Sequence, residues 1–164
     1  MLVLAFAIAG LAQTPCSRYT ADGYSMCTPA GWTGETEAGS KDQTFYAASA
    51  GGVRANLIFS DVVSPMKFAE FVTATNDYTL KNYVSLGFSS IELASRSEFL
   101  TDTYEHGAKS VFLEGIQAYK LCGYQYMFDT GKKKIFVTFT ALASDRTANE
   151  KLFDETVKTL KIDH

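Results

Sequence analysis

Hydrophobic and polar positions follow two periods along most of this chain. In Gln43–Ala50 and Val53–Ser60 they alternate; Ala55, Leu57 and Phe59 share one face, and Arg54, Asn56, Ile58 and Ser60 the other. Period two is the signature of a strand. Gly51-Gly52 between the runs predicts a tight hairpin, because glycine accepts the positive φ such turns need. Beyond Ser64-Pro65 the spacing becomes helical, through Phe68, Phe71, Val72, Thr75, Tyr83 and Leu86. Serine as cap and proline at the first helical position predict a start there. Asn76-Asp77 is a candidate break and Gly87 a natural stop.

Alternation then resumes in Ser89–Leu100, Lys109–Glu114 and Ala118–Phe128, separated by a polar turn at Thr101–His106 and a bend at Gly115. Tyr124, Tyr126 and Phe128 share a face opposite Leu121 and Met127. After a turn at Asp129-Thr130-Gly131, Ile135, Val137, Phe139 and Ala141 alternate with Phe136, Thr138 and Thr140. Both faces of that strand are largely apolar, which predicts a central strand covered on both sides. Thr147-x-x-Glu150 has the form of a capping box. Leu152, Phe153, Thr156, Val157 and Leu160 then make one helical stripe, and Lys158 and Lys161 complement the helix dipole at its end. Upstream, Gly23–Thr28 predicts a short strand, Pro29-Ala30-Gly31-Trp32 a turn, and Thr33–Asp42 a polar loop. The order predicts an α+β fold: a mainly antiparallel sheet flanked by two main helices.

The 164 residues suit one domain, and 46% hydrophobic with 20% charged residues is ordinary for a globular protein. Net charge is −3, which lacks the basic footprint of a nucleic-acid binder. The one basic run, Lys132-Lys133-Lys134, follows the Gly131 turn and reads as a solvated hairpin. Residues 2–12 are uninterruptedly apolar, the length of a signal-peptide core and too short for a spanning helix. Gly10-Leu11-Ala12 fits the small-x-small rule for cleavage before Gln13. No Lys or Arg stands near Met1, which departs from the usual leader. The expectation is a leader at 1–12, a single domain at 13–164, export to the periplasm or medium, and no membrane span in the mature chain. An exported chain meets oxidising conditions. Of Cys16, Cys27 and Cys122, the favoured pair is Cys16 with Cys27, which would tie the new N-terminus to the first strand, leaving Cys122 as a small buried hydrophobe.

Four features resemble the PsbP/DcrB-like group of domains: the opening Tyr24-Ser25-Met26-Cys27-Thr28-Pro29-Ala30-Gly31-Trp32; the hairpin followed by Ser64-Pro65 and a long helix; Gly131-Lys132-Lys133-Lys134-Ile135-Phe136-Val137-Thr138-Phe139-Thr140-Ala141; and the closing helix with Phe153. They span most of residues 23–161. That group includes photosystem extrinsic subunits, bacterial envelope lipoproteins and a Ran-binding nuclear-import factor. The resemblance implies a PsbP-like sandwich and non-enzymatic binding or scaffolding, with no particular partner.

Candidate chemistry is sparse. His106 sits beside Glu105 and Gly107 without a Gly-x-Ser-x-Gly elbow, and His164 is the last residue. Glu98, Asp102, Glu105 and His106 offer hard oxygens and one imidazole within nine residues, but in no established metal-binding spacing. Gly51-Gly52 lies between strands and cannot cradle a phosphate at a helix N-terminus. Neither metal nor cofactor is expected. Trp32 is either core packing under the Pro29 turn or, with Tyr124 and Tyr126, the aromatic lip of a ligand pocket, with Arg54 as an anion anchor. The leading expectation is an exported, non-enzymatic binding or accessory module contacting a protein or small ligand. The alternative is a hydrolytic or metal-dependent enzyme organised around His106.

Overall fold

The computed structural model describes residues 17–36, 41–48 and 54–163. The leader, Cys16 and the Gly51-Gly52 turn lie outside them. In chain order the elements are β1 (Ser17–Ala21), β2 (Tyr24–Thr28), β3 (Thr33–Glu35), β4 (Gln43–Tyr46), β5 (Asn56–Val62), α1 (Phe68–Lys81), β6 (Ser90–Leu100), β7 (His106–Ile116), β8 (Tyr119–Asp129), β9 (Lys134–Leu142), α2 (Arg146–Val157) and β10 (Lys161–Ile162). A seven-stranded sheet runs β3-β4-β5-β9-β8-β7-β6, and a small sheet runs β1-β2-β10. Every pairing is antiparallel.

The predicted double coverage is real, and β8 carries it together with β9. On one face Tyr124, Tyr126, Phe128, Val137 and Phe139 pack under Phe153 and Val157 of α2 and under Tyr24 and Met26 of β2. On the other, Met127 of β8 and Ala108 of β7 pack with Phe71 and Val72 of α1. Alternation along β8 therefore feeds two separate apolar layers, one for each helix.

Several boundaries move for local reasons. α1 begins at Phe68 with Lys67 as its uncapped N-cap. Ser64 instead closes a local turn, its hydroxyl accepting from the Met66 N–H at 3.3 Å. Asn76 does not break the helix, because its amide donates to the Ser110 hydroxyl at 3.0 Å and so does not compete for the local backbone. The helix ends at Lys81, and Asn82 caps it by donating to the Tyr78 carbonyl at 2.8 Å, ahead of Gly87. In α2 the capping box does not form; Thr147 is already helical and the Glu150 carboxylate is turned to Lys109. Gly115 makes no bend, lying in the ladder opposite Lys120. β7 is longer than predicted, and His106 pairs with Leu100 instead of sitting in the turn. Two lysines of the expected solvated run are paired, Lys134 with Asp129 at 2.6 Å and Lys133 with Asp22 at 3.0 Å. β1, β3 and β10 were not predicted. β3 lies within the predicted loop, is three residues long and is exposed, and β10 is two residues long and forms only by pairing with Tyr24 and Ser25.

One carboxyl on the α1 side of the large sheet is isolated. Glu114 is 8% exposed, and its Oε2 meets no hydrogen-bond donor among the described residues. It leans over Gly123, where a Cβ would lie 2.1 Å from its Oε1, so any side chain there would push the carboxylate out of this position. Burial pushes its pKa from the ordinary 4.5 up to about 7. Below about pH 4.5 folded and unfolded chains both hold this proton. Between about 4.5 and 7 the unfolded chain releases it while the folded chain keeps it, so this group's contribution to stability falls as pH rises. The loss is at most about 3–4 kcal/mol, at about 1.4 kcal/mol per unit over a shift from 4.5 to about 7. Chemical denaturation from pH 5 to 8 is expected to show this decline in the wild type and its removal in Glu114→Gln; an identical slope in the variant contradicts the assignment.

Candidate functional site

α2 is held to the sheet by an aromatic layer and a buried cation. The Phe153 ring stacks on Phe139 at 4.1 Å and meets Tyr124 edge-on at 5.2 Å. Beside it Lys109, its side chain 8% exposed, donates to Glu150 Oε1 at 2.7 Å and to the two Asp154 oxygens at 2.8 and 3.0 Å. The ammonium lies 5.9 and 5.7 Å from the centres of the Tyr124 and Tyr126 rings. The Tyr126 hydroxyl donates to Asp154 Oδ1 at 2.6 Å, and burial together with that carboxylate pushes its pKa far up. Lys109 is the residue that sequence reasoning missed; read as an ordinary strand position, it is the counter-charge that fixes the helix.

With α2 fixed, its C-terminal half forms one wall of a groove of about 720 Å³. The facing wall is Arg18 of β1, Cys27 and Thr28 of β2 and the Pro29-Ala30 turn; Asp102 and Thr103 of the β6–β7 turn close one end, and Lys161 of β10 lines it too. The frame is stitched by hydrogen bonds. The Cys27 N–H donates to the Thr159 hydroxyl at 2.9 Å, the Asp102 N–H to the Lys158 carbonyl at 2.8 Å, and the Thr103 hydroxyl to the Leu160 carbonyl at 2.8 Å. Arg18, Lys158 and Lys161 stand against Asp102 and Glu155, and Leu152 leaves 39% of its surface open. Among the described residues no histidine lines this groove. The arrangement offers opposite charges and an apolar contact, which are recognition elements.

The predicted ligand residues do not gather at an open surface. Tyr124 and Tyr126 have no exposed surface and lie in the core. Trp32 is half-buried, its ring edge-on to Phe139 at 6.4 Å and Phe153 at 6.2 Å, so three of the four share one closed packing layer. Arg54 belongs to another corner, donating to the Ala47 carbonyl at 3.1 Å, pairing with Glu35 at 3.5 Å and lying over the Tyr46 ring. The aromatic run that suggested a pocket lip is the helix-docking surface, because alternation turns those rings toward α2. Cys27 is disulfide-bonded, and its expected partner Cys16 lies outside the described residues. Cys122 is free and buried, and burial raises its thiol pKa.

Nor do Glu98, Asp102, Glu105 and His106 converge; among the described residues no cluster of three or more His, Cys, Asp or Glu could hold a metal. His106 and Glu98 line a separate cleft of about 410 Å³ under the start of α1, with Arg96, while Asp102 faces the larger groove. No helix among the described residues is long and apolar enough to cross a membrane.

Removing the Lys109 charge leaves two half-buried carboxylates facing aromatic rings. Lys109→Met is expected to destabilise the protein by about 2 kcal/mol, below the ~3–5 kcal/mol of a fully buried pair because both carboxylates keep some water. Thermal unfolding should register this as a fall of about 4–8 °C; an unchanged midpoint removes the pinning role.

No protein-family model matches the sequence, and no curated protein does. Solved structures do. The cyanobacterial PsbP (CyanoP) of Synechocystis sp. PCC 6803 superposes with a TM-score of 0.67 at 16% identity, covering 96% of this chain and 98% of that one. Mog1, as a point mutant, gives a TM-score of 0.63 at 8% identity over 91% and 96%. A protein of unknown function, PA94 of Pseudomonas aeruginosa, gives 0.59 at 14% identity over 88% and 94%. Identities this low establish architecture and not role. The chain has the PsbP-like α+β fold.

Proposed function

We propose that the protein is an exported, non-catalytic binding or accessory module of the cell envelope that takes a protein partner or small ligand in the groove between α2 and β1–β2. The groove carries this reading. It is the larger of the two clefts described, and its helical wall is fixed by a buried ion network. Its rims bear Arg18, Lys158 and Lys161 against Asp102 and Glu155. Charges so placed select partners and steer their approach. The apolar run at residues 2–12 and the resemblance to photosystem extrinsic subunits and envelope lipoproteins favour export.

Arg18→Glu combined with Lys158→Glu reverses one positive charge on each wall of the groove at exposed positions, where substitutions usually shift stability by no more than ~0.5 kcal/mol. Affinity capture from the native envelope, wild type against variant, is expected to lose the wild-type partner at least about tenfold with the melting temperature unchanged; each ~1.4 kcal/mol of lost interaction is a factor of ten. Equal recovery removes the groove from the interface. Terminal sequencing of the exported protein should find Gln13 first; a chain retained in the cytoplasm with its leader intact contradicts export.

A further inference from the structure

On the side of the large sheet opposite the groove, the orphaned buried groups have one chemistry. Among the described residues the buried side-chain atoms with no hydrogen-bond partner are Asn56 Oδ1, Asn76 Oδ1, Glu114 Oε2 and Gln125 Oε1. All are oxygens placed as acceptors, and all lie on the α1 face. Register brings them together. Glu114 leans diagonally onto Gly123, Gly123 pairs with Thr140, and Thr140 with Asn56. Gln125 is two positions along β8 from Gly123 and pairs with Ser110, which holds Asn76.

Among the described residues no cation is paired with this cluster: Arg96, opposite Ser110 on the same face, donates to the Thr73 hydroxyl at 3.2 Å, and Lys134 of β9 is paired with Asp129. The positions flanking Glu114 on neighbouring strands are Ile91 and Leu121, with Phe112 and Gly123 in the next row. Lys120 and Glu92 occupy alternate positions and so project from the other face. From α1, Asp77 and Lys81 are exposed and paired with each other at 3.7 Å, and Glu70 is exposed. Burial alone accounts for the raised carboxyl pKa of about 7, with no charged group contributing.

We propose that this face binds an alkylammonium group, from a free amine or a lysine side chain, with the Glu114 carboxylate as its counter-charge and the amide oxygen of Gln125, two positions along β8 from the Gly123 that Glu114 covers, as a further acceptor. An ammonium brings three donors and no acceptor, matching oxygens that lack donors. Strands about 4.8 Å apart put Asn56 roughly 10 Å from Gly123, too far for a metal ion that gathers its ligands within about 2.6 Å or for the same ammonium, but within reach of the second amine of a linear diamine. Glu114 lies two residues from Ile116, the last residue of β7, and the hairpin beyond it, Gln117–Tyr119, is exposed, so the carboxyl lies close to solvent. Binding draws the carboxyl into its charged form, so occupancy releases a proton and affinity falls about tenfold per unit below pH 7.

The probes are 1,4-diaminobutane for a free amine, Nα-acetyl-lysinamide for a lysine side chain, and butan-1-ol as the neutral control. Calorimetry at pH 8 is expected to show saturable binding of one or both amines and none of the alcohol, with affinity at pH 5.5 lower by about tenfold or more. Glu114→Gln and Gln125→Leu should each weaken binding, the former at least tenfold. In carboxyl-labelled wild-type protein, the Glu114 carbon resonance should titrate near pH 7 and move to lower pH when the amine saturates, a readout independent of how the variants fold. An unmoved Glu114 titration, equal binding by Glu114→Gln, or equal binding of butan-1-ol overturns the proposal and leaves these oxygens to water.

Discussion

Everything in this fold depends on β8 and β9 being too apolar to leave either face of the sheet in water. Alternation sends Tyr124, Tyr126 and Phe128 to one side and Leu121 and Met127 to the other, so two layers need cover. The α2 layer is the stronger. Phe153 lies flat on Phe139, and an aromatic pair adds about 0.5–1.5 kcal/mol beyond the area it buries. The Lys109 network then fixes the helix rotationally, since its donors must reach both Glu150 and Asp154. β2 is laid across the same layer through Tyr24 and Met26. The groove follows as the seam between α2 and β2, so its shape is inherited from core packing.

This explains what could be read from the chain and what could not. Elements that bury a full face were legible, because burial enforces periodicity; β5, β8, β9 and the α2 face of Phe153, Thr156 and Val157 are of this kind, while Leu152 of the predicted stripe is exposed and Leu160 lies beyond the helix end. Elements that exist only by pairing were not. β10 has two residues and β3 three, too few to display a period, and they form because an edge was available. Capping signals misled where a side chain had a better use. Glu150 serves a buried ammonium instead of its own helix N-terminus, and Ser64 closes a turn upstream of the helix.

The candidate site was illegible for a related reason. Aromatic alternation at Tyr124 and Tyr126 and the half-buried Trp32 could mean pocket or core, and only the position of α2 decides. The groove residues come from β1, β2, the β6–β7 turn and α2, so no local spacing unites Arg18 with Asp102 or Lys158. His106 drew attention as one of two histidines, yet it pairs at a strand end with its nearby carboxylates divided between two clefts. The binding reading proposed above rests on the charges and apolar contact that α2, β1, β2 and the β6–β7 turn bring to one groove. Glu114 is the exception, a group whose surroundings lack the charge its chemistry calls for.

The Phe153 layer organises both the fold and the groove wall. Phe153→Ala tests it most directly, by equilibrium urea unfolding followed through both secondary structure and aromatic signal. Deleting a fully buried phenylalanine ring typically costs about 3–5 kcal/mol, and the account predicts a loss of that size with both probes still changing together. A loss under about 1 kcal/mol, a size typical of surface positions, would contradict it.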